Sequence, residues 1–272
     1  MSGFHSDKVF AGSIPALYES HLVPLIFEPY AADMADRLAS RSVFRVLEVA
    51  AGTGVLTRAL ARKLSAGVEI VASDLNQPML DEAMARGTPR PVQWLQADAQ
   101  QLPFPDASFD AVVCQFGAMF FPSKPAAFAQ ARRVLRPGGI FLFSVWDEIG
   151  ENEFADEATN ALAALFPDDP PRFMARTPHG YRDRLAIERD LSDGGFTAAP
   201  IFNVVTARSR AESPRIAALA YCQGTPLRNE IQARDASRLA EATNAVASAI
   251  AARFGPGPVD GKIQALVVAV ER

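Results

Sequence analysis

A short glycine-bearing turn and the acid just before it hold the residue types best suited to chemistry in this chain. The turn, Ala50-Ala51-Gly52-Thr53-Gly54, follows an apolar run at 43–49 and precedes a helical pattern at 55–64. A glycine turn between a buried strand and a helix brings backbone N–H groups and the positive end of the helix dipole close to a ligand. Nucleotide cofactors are the usual ligands of such turns, so we predict that one binds here.

The residues around the turn discriminate between classes of nucleotide. Gly52 and Gly54 begin the nicotinamide fingerprint GxGxxG, but Thr57 stands where its third glycine should be. No Gly-Lys-Ser/Thr follows, which excludes a Walker loop. Glu48, inside the strand, would repel a pyrophosphate, whereas it suits a ligand with a cationic group or hydroxyls. The pattern therefore favours such a ligand over a dinucleotide.

Strands and helices alternate around this turn. The apolar pattern predicts strands at 43–49, 68–74, 92–98, 109–114 and 140–146, and helices at 55–64, 78–87 and 124–135. Five strands joined by helical crossovers predict an α/β fold with a doubly wound parallel sheet, whose ligands bind beyond the carboxyl ends of the strands.

After Trp146 the alternation loosens. We predict helices at 153–165, 181–193 and 231–254, and strands at 201–207 and 263–270. Residues 1–40 and 147–258, apart from the strand at 201–207, do not follow the alternation. We expect a single domain over 1–272, in which residues 1–40 form an N-terminal helical lid and 147–258 add helical segments that cover the substrate.

The stretch from Val46 to Gly54 resembles the first motif of class I S-adenosylmethionine-dependent methyltransferases, which reads acid-x-Gly-x-Gly-x-Gly. The resemblance continues, in the right order, through 72–75, 96–99, 102–110 and 133–139. It is strongest to the methyltransferase type 11, quinone-methyltransferase-like branch. Ala50 replaces the first glycine, and we expect its backbone to keep an ordinary φ.

The resemblance implies a seven-stranded Rossmann-like sheet whose last strand is antiparallel. It also implies S-adenosyl-L-methionine as the cofactor and S-adenosyl-L-homocysteine as the product. The implied cofactor-binding residues are Tyr18, Glu48, Gly52, Gly54, Asp74, Leu75, Met79, Asp98, Ala99 and Gln115.

Each of these residues has an implied role. Asp74 would accept both ribose hydroxyls, Asp98 and the N–H of Ala99 would read the adenine edge, and Leu75 and Met79 would sandwich the ring. Alternatives remain open: Asp74 as a turn or capping residue, and Met79 as ordinary core.

The other implied contacts are with the methionine part of the cofactor. Glu48 would organise the loop and this moiety, and the carbonyl of Gln115 would lie near its amino group and sulfonium. Tyr18 resembles a lid tyrosine that closes over the carboxylate, although a core tyrosine is an equal alternative.

Methyl transfer from a sulfonium is an in-line displacement, so alignment and exclusion of water can carry most of the catalysis. We therefore assign no catalytic residue. His21 and His179, in the predicted covering segments, are the candidates, with a structural histidine as the alternative for each. No histidine pair has metal-ligand spacing, so we expect no metal.

The end of the fourth strand, residues 114–117, bears on the chemical class of the methyl acceptor. It lacks the Asn/Asp-Pro-Pro-Tyr signature of DNA amino-methyltransferases, which disfavours methylation of a nucleic-acid base. We predict a small apolar or aromatic acceptor. The candidate substrate-binding residues are Phe116, Phe120, Tyr181 and Tyr221, each with core packing as its alternative.

Composition limits the remaining possibilities. With 31 acids, 27 bases and a net charge of −4, the chain has no cationic field for nucleic acid. Cys114 and Cys222 stand far apart, which disfavours a disulfide or a CxxC metal site. Neither a signal peptide nor a membrane span is evident, so we expect a cytoplasmic protein. The apolar helix from Ile231 could pack on a second subunit, which leaves a homo-oligomer open.

Two other functions compete with methyl transfer. A non-catalytic S-adenosylmethionine-binding protein would carry the same loop. A nicotinamide-dependent oxidoreductase is weakened by Thr57 and by the lack of a Tyr-x-x-x-Lys pair.

Overall fold

A computed structural model describes residue 10 and residues 12–272. Seven strands form one sheet in the order β3-β2-β1-β4-β5-β7-β6. The strands are β1 (Arg45–Val49), β2 (Glu69–Asp74), β3 (Gln93–Gln96), β4 (Phe109–Gln115), β5 (Leu135–Trp146), β6 (Ile201–Ala211) and β7 (Val259–Glu271). Strands β1 to β5 pair in parallel, and β7 runs antiparallel to β5. The predicted Rossmann-like sheet with an antiparallel last strand is confirmed.

Helices occupy most of the remaining chain. They are α1 (Ile14–Leu17), a π-helix (Tyr18–Phe27), α2 (Glu28–Ala39), α3 (Val55–Lys63), α4 (Gln77–Arg86), α5 (Lys124–Val134), α6 (Glu153–Leu165), α7 (Phe173–Arg176), α8 (Arg184–Asp193), α9 (Pro214–Gln223), α10 (Leu227–Asp235) and α11 (Leu239–Phe254). Short 3₁₀ turns lie at Ala118–Phe120, Ile149–Glu151 and Ala236–Arg238.

The chain divides into two compact units. The sheet unit contains Glu28–Trp146, Tyr181–Val205 and Ala265–Arg272. The helical unit contains the described residues up to Phe27, together with Asp147–Gly180 and Thr206–Gln264.

The core on one face of the sheet unit fixes the strands that carry the glycine turn. Val46 of β1 and Ala111 of β4 are paired in register and pack with Met34 and Leu38 of α2 and Leu60 of α3. All five are fully buried, and small or β-branched residues suit closely paired central strands. The carboxyl ends of β1 and β4 are thereby held side by side, where the resemblance placed the site.

The predicted helix at 231–254 is wrong as one continuous element. The chain instead forms α10 and α11, separated at Asp235, which has extended dihedral angles and a side chain that accepts a hydrogen bond from Ser237 N. An aspartate that caps the following turn competes with continuation of a helix. The sequence analysis also missed α9, which begins with Pro214 after the capping side chain of Ser213.

Candidate functional site

In the glycine turn at the end of β1, every second residue from Ala50 to Gly54 has a left-handed backbone. Ala50 has φ +54, Gly52 φ +57 and Gly54 φ +82. Two features exclude a side chain at Gly54: its left-handed φ, and the Trp94 ring, which would lie 2.9 Å from a Cβ there. Glycine is therefore required there by backbone conformation and by space.

Our expectation of an ordinary φ at Ala50 is wrong. Two hydrogen bonds force the sharp turn: Ala51 N donates to Ser73 O over 2.9 Å, and Gly54 N donates to Ala51 O over 2.9 Å. A left-handed alanine costs about 1 kcal/mol, and these bonds offset it. The loop therefore keeps the shape of the three-glycine motif although its first glycine is absent.

Asp74, the last residue of β2, ties that strand to the glycine turn. Its Oδ2 accepts a hydrogen bond from Gly52 N and its Oδ1 accepts one from Asn76 N, each over 2.8 Å. Burial raises the pKa of the carboxyl, and these backbone hydrogen bonds oppose the rise. Asp74 thus forms a local turn with Asn76, which is itself the N-cap of α4, and the same carboxylate also bonds to the loop.

Glu48 lies in β1 behind the turn and is 1% exposed. Its Oε2 accepts a hydrogen bond from the Thr57 hydroxyl over 2.6 Å. Burial raises the pKa of Glu48 to about 8, against the effect of that hydrogen bond. At neutral pH the carboxyl therefore holds its proton, and a cationic group brought beside it would favour release of that proton.

The residues predicted to hold the adenosine gather after β2 and β3. Asp74 and Gln96 are paired in register, and Gln96 Nε2 donates to the carbonyl of Leu75 over 2.8 Å. The Leu75 side chain is 46% exposed although it is apolar, whereas Met79 is buried. Asp98 is exposed. The exposed apolar side chain of Leu75, together with the acids Asp74 and Asp98, suits a planar ring that has a polar edge.

Asp98 itself shapes the turn after β3. Its Oδ1 accepts a hydrogen bond from Gln100 N over 2.8 Å, and half-buried Ala99 lies between these two residues.

Gln115 ends β4 beside the glycine turn, and the chain then bends at Phe116. Phe116 has φ +52, and its N–H donates to Ser144 O over 3.1 Å. Its ring stacks on Trp146 with centroids 3.8 Å apart, and Tyr30 meets both rings edge-on. Phe116, Trp146 and Tyr30 form a group that we call the aromatic corner.

Phe120 and Tyr181 lie in the sheet unit, in different surroundings. Phe120 is half-buried in the 3₁₀ turn after β4. Tyr181 is buried, and its hydroxyl donates to Asp190 Oδ2 over 2.7 Å. Burial and this carboxylate raise the pKa of Tyr181.

The remaining candidates lie in the helical unit. Tyr18 and His21 are half-buried in the π-helix, where Tyr18 stacks on Phe27 with centroids 5.1 Å apart. His179 is buried with Nδ1 at 2.9 Å from the Asp147 carbonyl oxygen. Tyr221 is buried in α9, and burial raises its pKa.

Two residues of the sheet unit escaped the sequence analysis. Thr53 Oγ1, in the glycine turn, is buried and has no hydrogen-bond partner within the part of the chain that the structure describes. The signal available in the sequence was the position of Thr53 between Gly52 and Gly54 of the predicted ligand-binding turn. Lys124 contacts the turn after β4, and no local pattern indicated that contact.

Comparison with known proteins places this geometry in a family. A model of the methyltransferase domain matches residues 47–143. The ubiquinone/menaquinone biosynthesis C-methyltransferase UbiE of Ectopseudomonas mendocina is 32% identical over 173 residues, which are 59% of this chain and 68% of that protein. The chain belongs to the class I S-adenosylmethionine-dependent methyltransferases. The predicted enzyme class and cofactor are confirmed.

Solved structures share the fold of this methyltransferase. The YcgJ protein of Bacillus subtilis has a TM-score of 0.54 at 20% identity, over 90% of this chain and 99% of that one. Phospholethanolamine N-methyltransferase 2 of Haemonchus contortus, solved with phosphomonomethylethanolamine and S-adenosylhomocysteine, has a TM-score of 0.53 at 18% identity. That match covers 89% of this chain and 52% of the other.

The residues of the methyltransferase site fit the cofactor. The glycine turn is left-handed at alternate positions, the buried Thr53 hydroxyl has no hydrogen-bond partner within the described residues, and the Asp74 carboxylate bonds to the same turn. Among residues 10 and 12–272, no group of three or more His, Cys, Asp or Glu side chains could hold a metal ion. Over those same residues, no helix combines the length and apolarity needed to cross a membrane.

Proposed function

We propose that this methyltransferase methylates a small apolar or aromatic acceptor, and that a reduced quinone ring is the acceptor class. The observation that carries the proposal is the aromatic corner, which begins at the residue directly after β4 and adjoins the glycine turn. Its three rings are each at most 5% exposed and pack on one another, so they give this side of the site an apolar backing that suits an apolar or aromatic acceptor. The UbiE relative is named for C-methylation in ubiquinone and menaquinone biosynthesis, which supports the same class.

The cofactor contacts belong to this proposal. Asp74 accepts ribose hydroxyls chiefly at Oδ2, because Oδ1 already accepts hydrogen bonds from both the backbone and the side-chain nitrogen of Asn76. Asp98 and the N–H of Ala99 take the adenine edge, and Leu75 and Met79 take its faces.

The methionine end lies against β1 and β4. Glu48 faces the cationic ammonium, and the carbonyl of Gln115 accepts from it. The Thr53 hydroxyl, orphaned in the described part of the chain, donates to a polar group of the same moiety.

The reaction needs a positioned acceptor more than a strong base. S-adenosylmethionine supplies an electrophilic methyl group on a sulfonium. A nucleophilic ring carbon of the acceptor would form a bond to that methyl carbon as the sulfonium–methyl bond breaks with its electrons left on sulfur, and the ring proton would then pass to a base or to solvent. The rigid turn and the aromatic corner restrict approach and exclude water, which is the main contribution of the protein.

Tyr18 keeps its predicted role as a lid over the cofactor, and Tyr221 keeps its predicted role in contacting the acceptor. His21 and His179 stay the candidate catalytic residues. In His179, donation from Nδ1–H to the Asp147 carbonyl makes Nε2 the basic nitrogen of the neutral ring. We also keep as predictions the lid segments, the single domain, a homo-oligomer and a cytoplasmic location.

The test offers the purified protein a reduced 1,4-naphthoquinone with a free ring position and an apolar side chain. We expect time-dependent formation of S-adenosylhomocysteine and a product heavier by one methyl group, with nuclear magnetic resonance placing that methyl on carbon. A catechol serves as the O-methylation comparison. Turnover of the catechol but not of the reduced quinone would contradict the acceptor class.

Calorimetry with S-adenosylhomocysteine tests the contacts separately from turnover. Asp74→Ala should weaken binding by at least about tenfold, because a charge-assisted hydrogen bond contributes about 1.5–3 kcal/mol. Asp74→Asn keeps one acceptor oxygen and should lose less. Unchanged affinity in a folded Asp74→Ala variant would refute the ribose contact.

A further inference from the structure

Lys124 makes an unusual set of contacts at the start of α5. It is the first residue of that helix, and its Nζ donates to the carbonyls of Met119 over 3.1 Å and Phe121 over 3.0 Å. Both carbonyls belong to residues 117–121, which we call the post-β4 turn. A single ammonium therefore bridges two points of the turn that follows Gln115.

This position is unfavourable for a lysine. A cation at a helix N-terminus meets the positive end of the helix dipole, which is unfavourable. Burial also lowers the pKa of Lys124, and the Asp190 carboxylate opposes that effect. The charge is retained there by specific contacts, since neither the helix end nor the partial burial favours it.

Two side chains from the segment containing α8 complete those contacts. The Tyr181 ring lies with its centroid 5.0 Å from Lys124 Nζ, within the range of a cation–π interaction. The Tyr181 hydroxyl donates to Asp190 Oδ2 over 2.7 Å. Lys124, Tyr181 and Asp190 thus form a chain of contacts, the lysine cluster, that connects α8 to the post-β4 turn.

The turn held by this cluster adjoins the glycine turn. A Cβ at Gly117 would lie 2.4 Å from the Cβ of Ala50, so the two backbones approach as closely as they can. Just before Gly117 stands Phe116, left-handed and stacked on Trp146. Displacement of the post-β4 turn would therefore disturb both the loop that holds the cofactor and the aromatic corner.

We propose that the lysine cluster is a positioning device that fixes the post-β4 turn, and with it the aromatic corner, at the acceptor side of the site. Tyr181 then acts through Lys124 and does not contact the acceptor, which differs from the role predicted from sequence. The assignment to the acceptor side rests on the proposed function. The fixing of the turn by Lys124 does not.

Trp146 allows the turn to be tested without any acceptor. The chain has two tryptophans, so Trp94→Phe leaves Trp146 as the sole indole. Trp146 is 5% exposed, and acrylamide should quench it weakly. In that background Lys124→Met should raise the Trp146 quenching constant at least about twofold, because the stacked Phe116 loses its support.

Lys63→Met is the matched control. Lys63 is the last residue of α3, whereas Lys124 is the first residue of α5, and Lys63 pairs with Asp36 at the surface. It should leave quenching unchanged. Tyr181→Phe keeps the ring but removes the hydrogen bond to Asp190, and it should give a smaller increase than Lys124→Met. This conservative variant keeps the test decisive if Lys124→Met does not fold.

Kinetics in the unmodified background complete the test. Lys124→Met should raise KM for the reduced naphthoquinone or lower kcat at least about fivefold, and it should weaken S-adenosylhomocysteine binding by a smaller factor, because the glycine turn keeps its own backbone hydrogen bonds. Unchanged quenching together with unchanged kinetics, even with a lower Tm, would overturn the proposal and leave Lys124 a stabilising residue. If the parent methylates no quinone, the acceptor class fails while the quenching result still decides whether Lys124 fixes the turn.

Discussion

Gly117 and Ala50 meet at the carboxyl ends of β4 and β1 with no room for a second Cβ between them. A Cβ built on Gly117 lies 2.4 Å from the Ala50 Cβ and 2.8 Å from Cys114 Sγ. The methyl group at position 50, where the family motif has glycine, therefore fills the space that Gly117 leaves. The glycine turn and the post-β4 turn are packed against each other as complementary surfaces.

Gly117→Ala should destabilise the protein by about 1–3 kcal/mol, the usual cost of overpacking a filled interior. Ala50→Gly in the same chain should recover part of the loss, because it removes the closer of the two clashing atoms while Cys114 remains. Urea unfolding of both single variants and the double variant measures the coupling. Gly67→Ala, where a Cβ meets nothing within 4 Å, is the control. Additive effects of the two substitutions would contradict the direct contact.

Gly54→Ala should lower both stability and S-adenosylhomocysteine affinity, the latter by at least about tenfold, because the residue has φ +82 and its Cβ would lie 2.9 Å from Trp94. Gly87→Ala separates the two causes, since Gly87 has φ +72 but open space around its Cβ. We expect Gly87→Ala to cost only about 1 kcal/mol of stability and no affinity. Calorimetry and urea unfolding measure both quantities. Equal effects of the two substitutions on affinity would show that the glycine turn has no special role.

The buried carboxyl of Glu48 should make stability depend on pH. Its pKa is raised from an ordinary value of 4.5 to about 8, so the folded chain keeps a proton that the unfolded chain releases. This contribution is complete below pH 4.5 and is lost as pH rises through about 8. The free energy of unfolding should therefore fall between pH 5 and 8 by up to about 1.4 kcal/mol per unit from this group.

Glu48→Gln isolates that contribution. The variant keeps an acceptor oxygen for Thr57 but cannot titrate. Urea unfolding at several pH values should give a shallower decline for Glu48→Gln than for the parent. Parallel curves for the two proteins would mean that Glu48 is ionised in the folded chain.

The parts of the fold that follow from local pattern were predictable. Strands β1, β2 and β4 and helices α3 and α5 lie within a few residues of the predicted ranges, since an apolar run ending at a glycine turn specifies both strand and helix. The fold class and the cofactor followed from the motif order. That Gly52 and Asp74 meet was implied by the motif, and the backbone hydrogen bond between them is a structural finding.

Other features depend on residues distant in sequence. The left-handed Ala50 follows from hydrogen bonds that close the turn, one of them to Ser73 of the neighbouring strand, and no property of alanine indicates it. The contacts of Lys124 with Tyr181 and Asp190 join positions more than fifty residues apart. The break at Asp235 reflects capping by an aspartate in an otherwise Ala-rich stretch, where helix propensity favours continuation.

Ala50 and Phe116, two residues with side chains, both have left-handed backbones directly after the neighbouring strands β1 and β4. Such conformations persist only where the surroundings permit no alternative, so this edge of the sheet will fluctuate little. Amide hydrogen exchange at Phe116 should accordingly be among the slowest in the chain. Adjustment to differently shaped ligands is then left to side chains that face solvent, such as Leu75 and Asp98. The carboxyl ends of β1 and β4 are thus the fixed part of the candidate site, and the exposed side chains after β2 and β3 are its adjustable part.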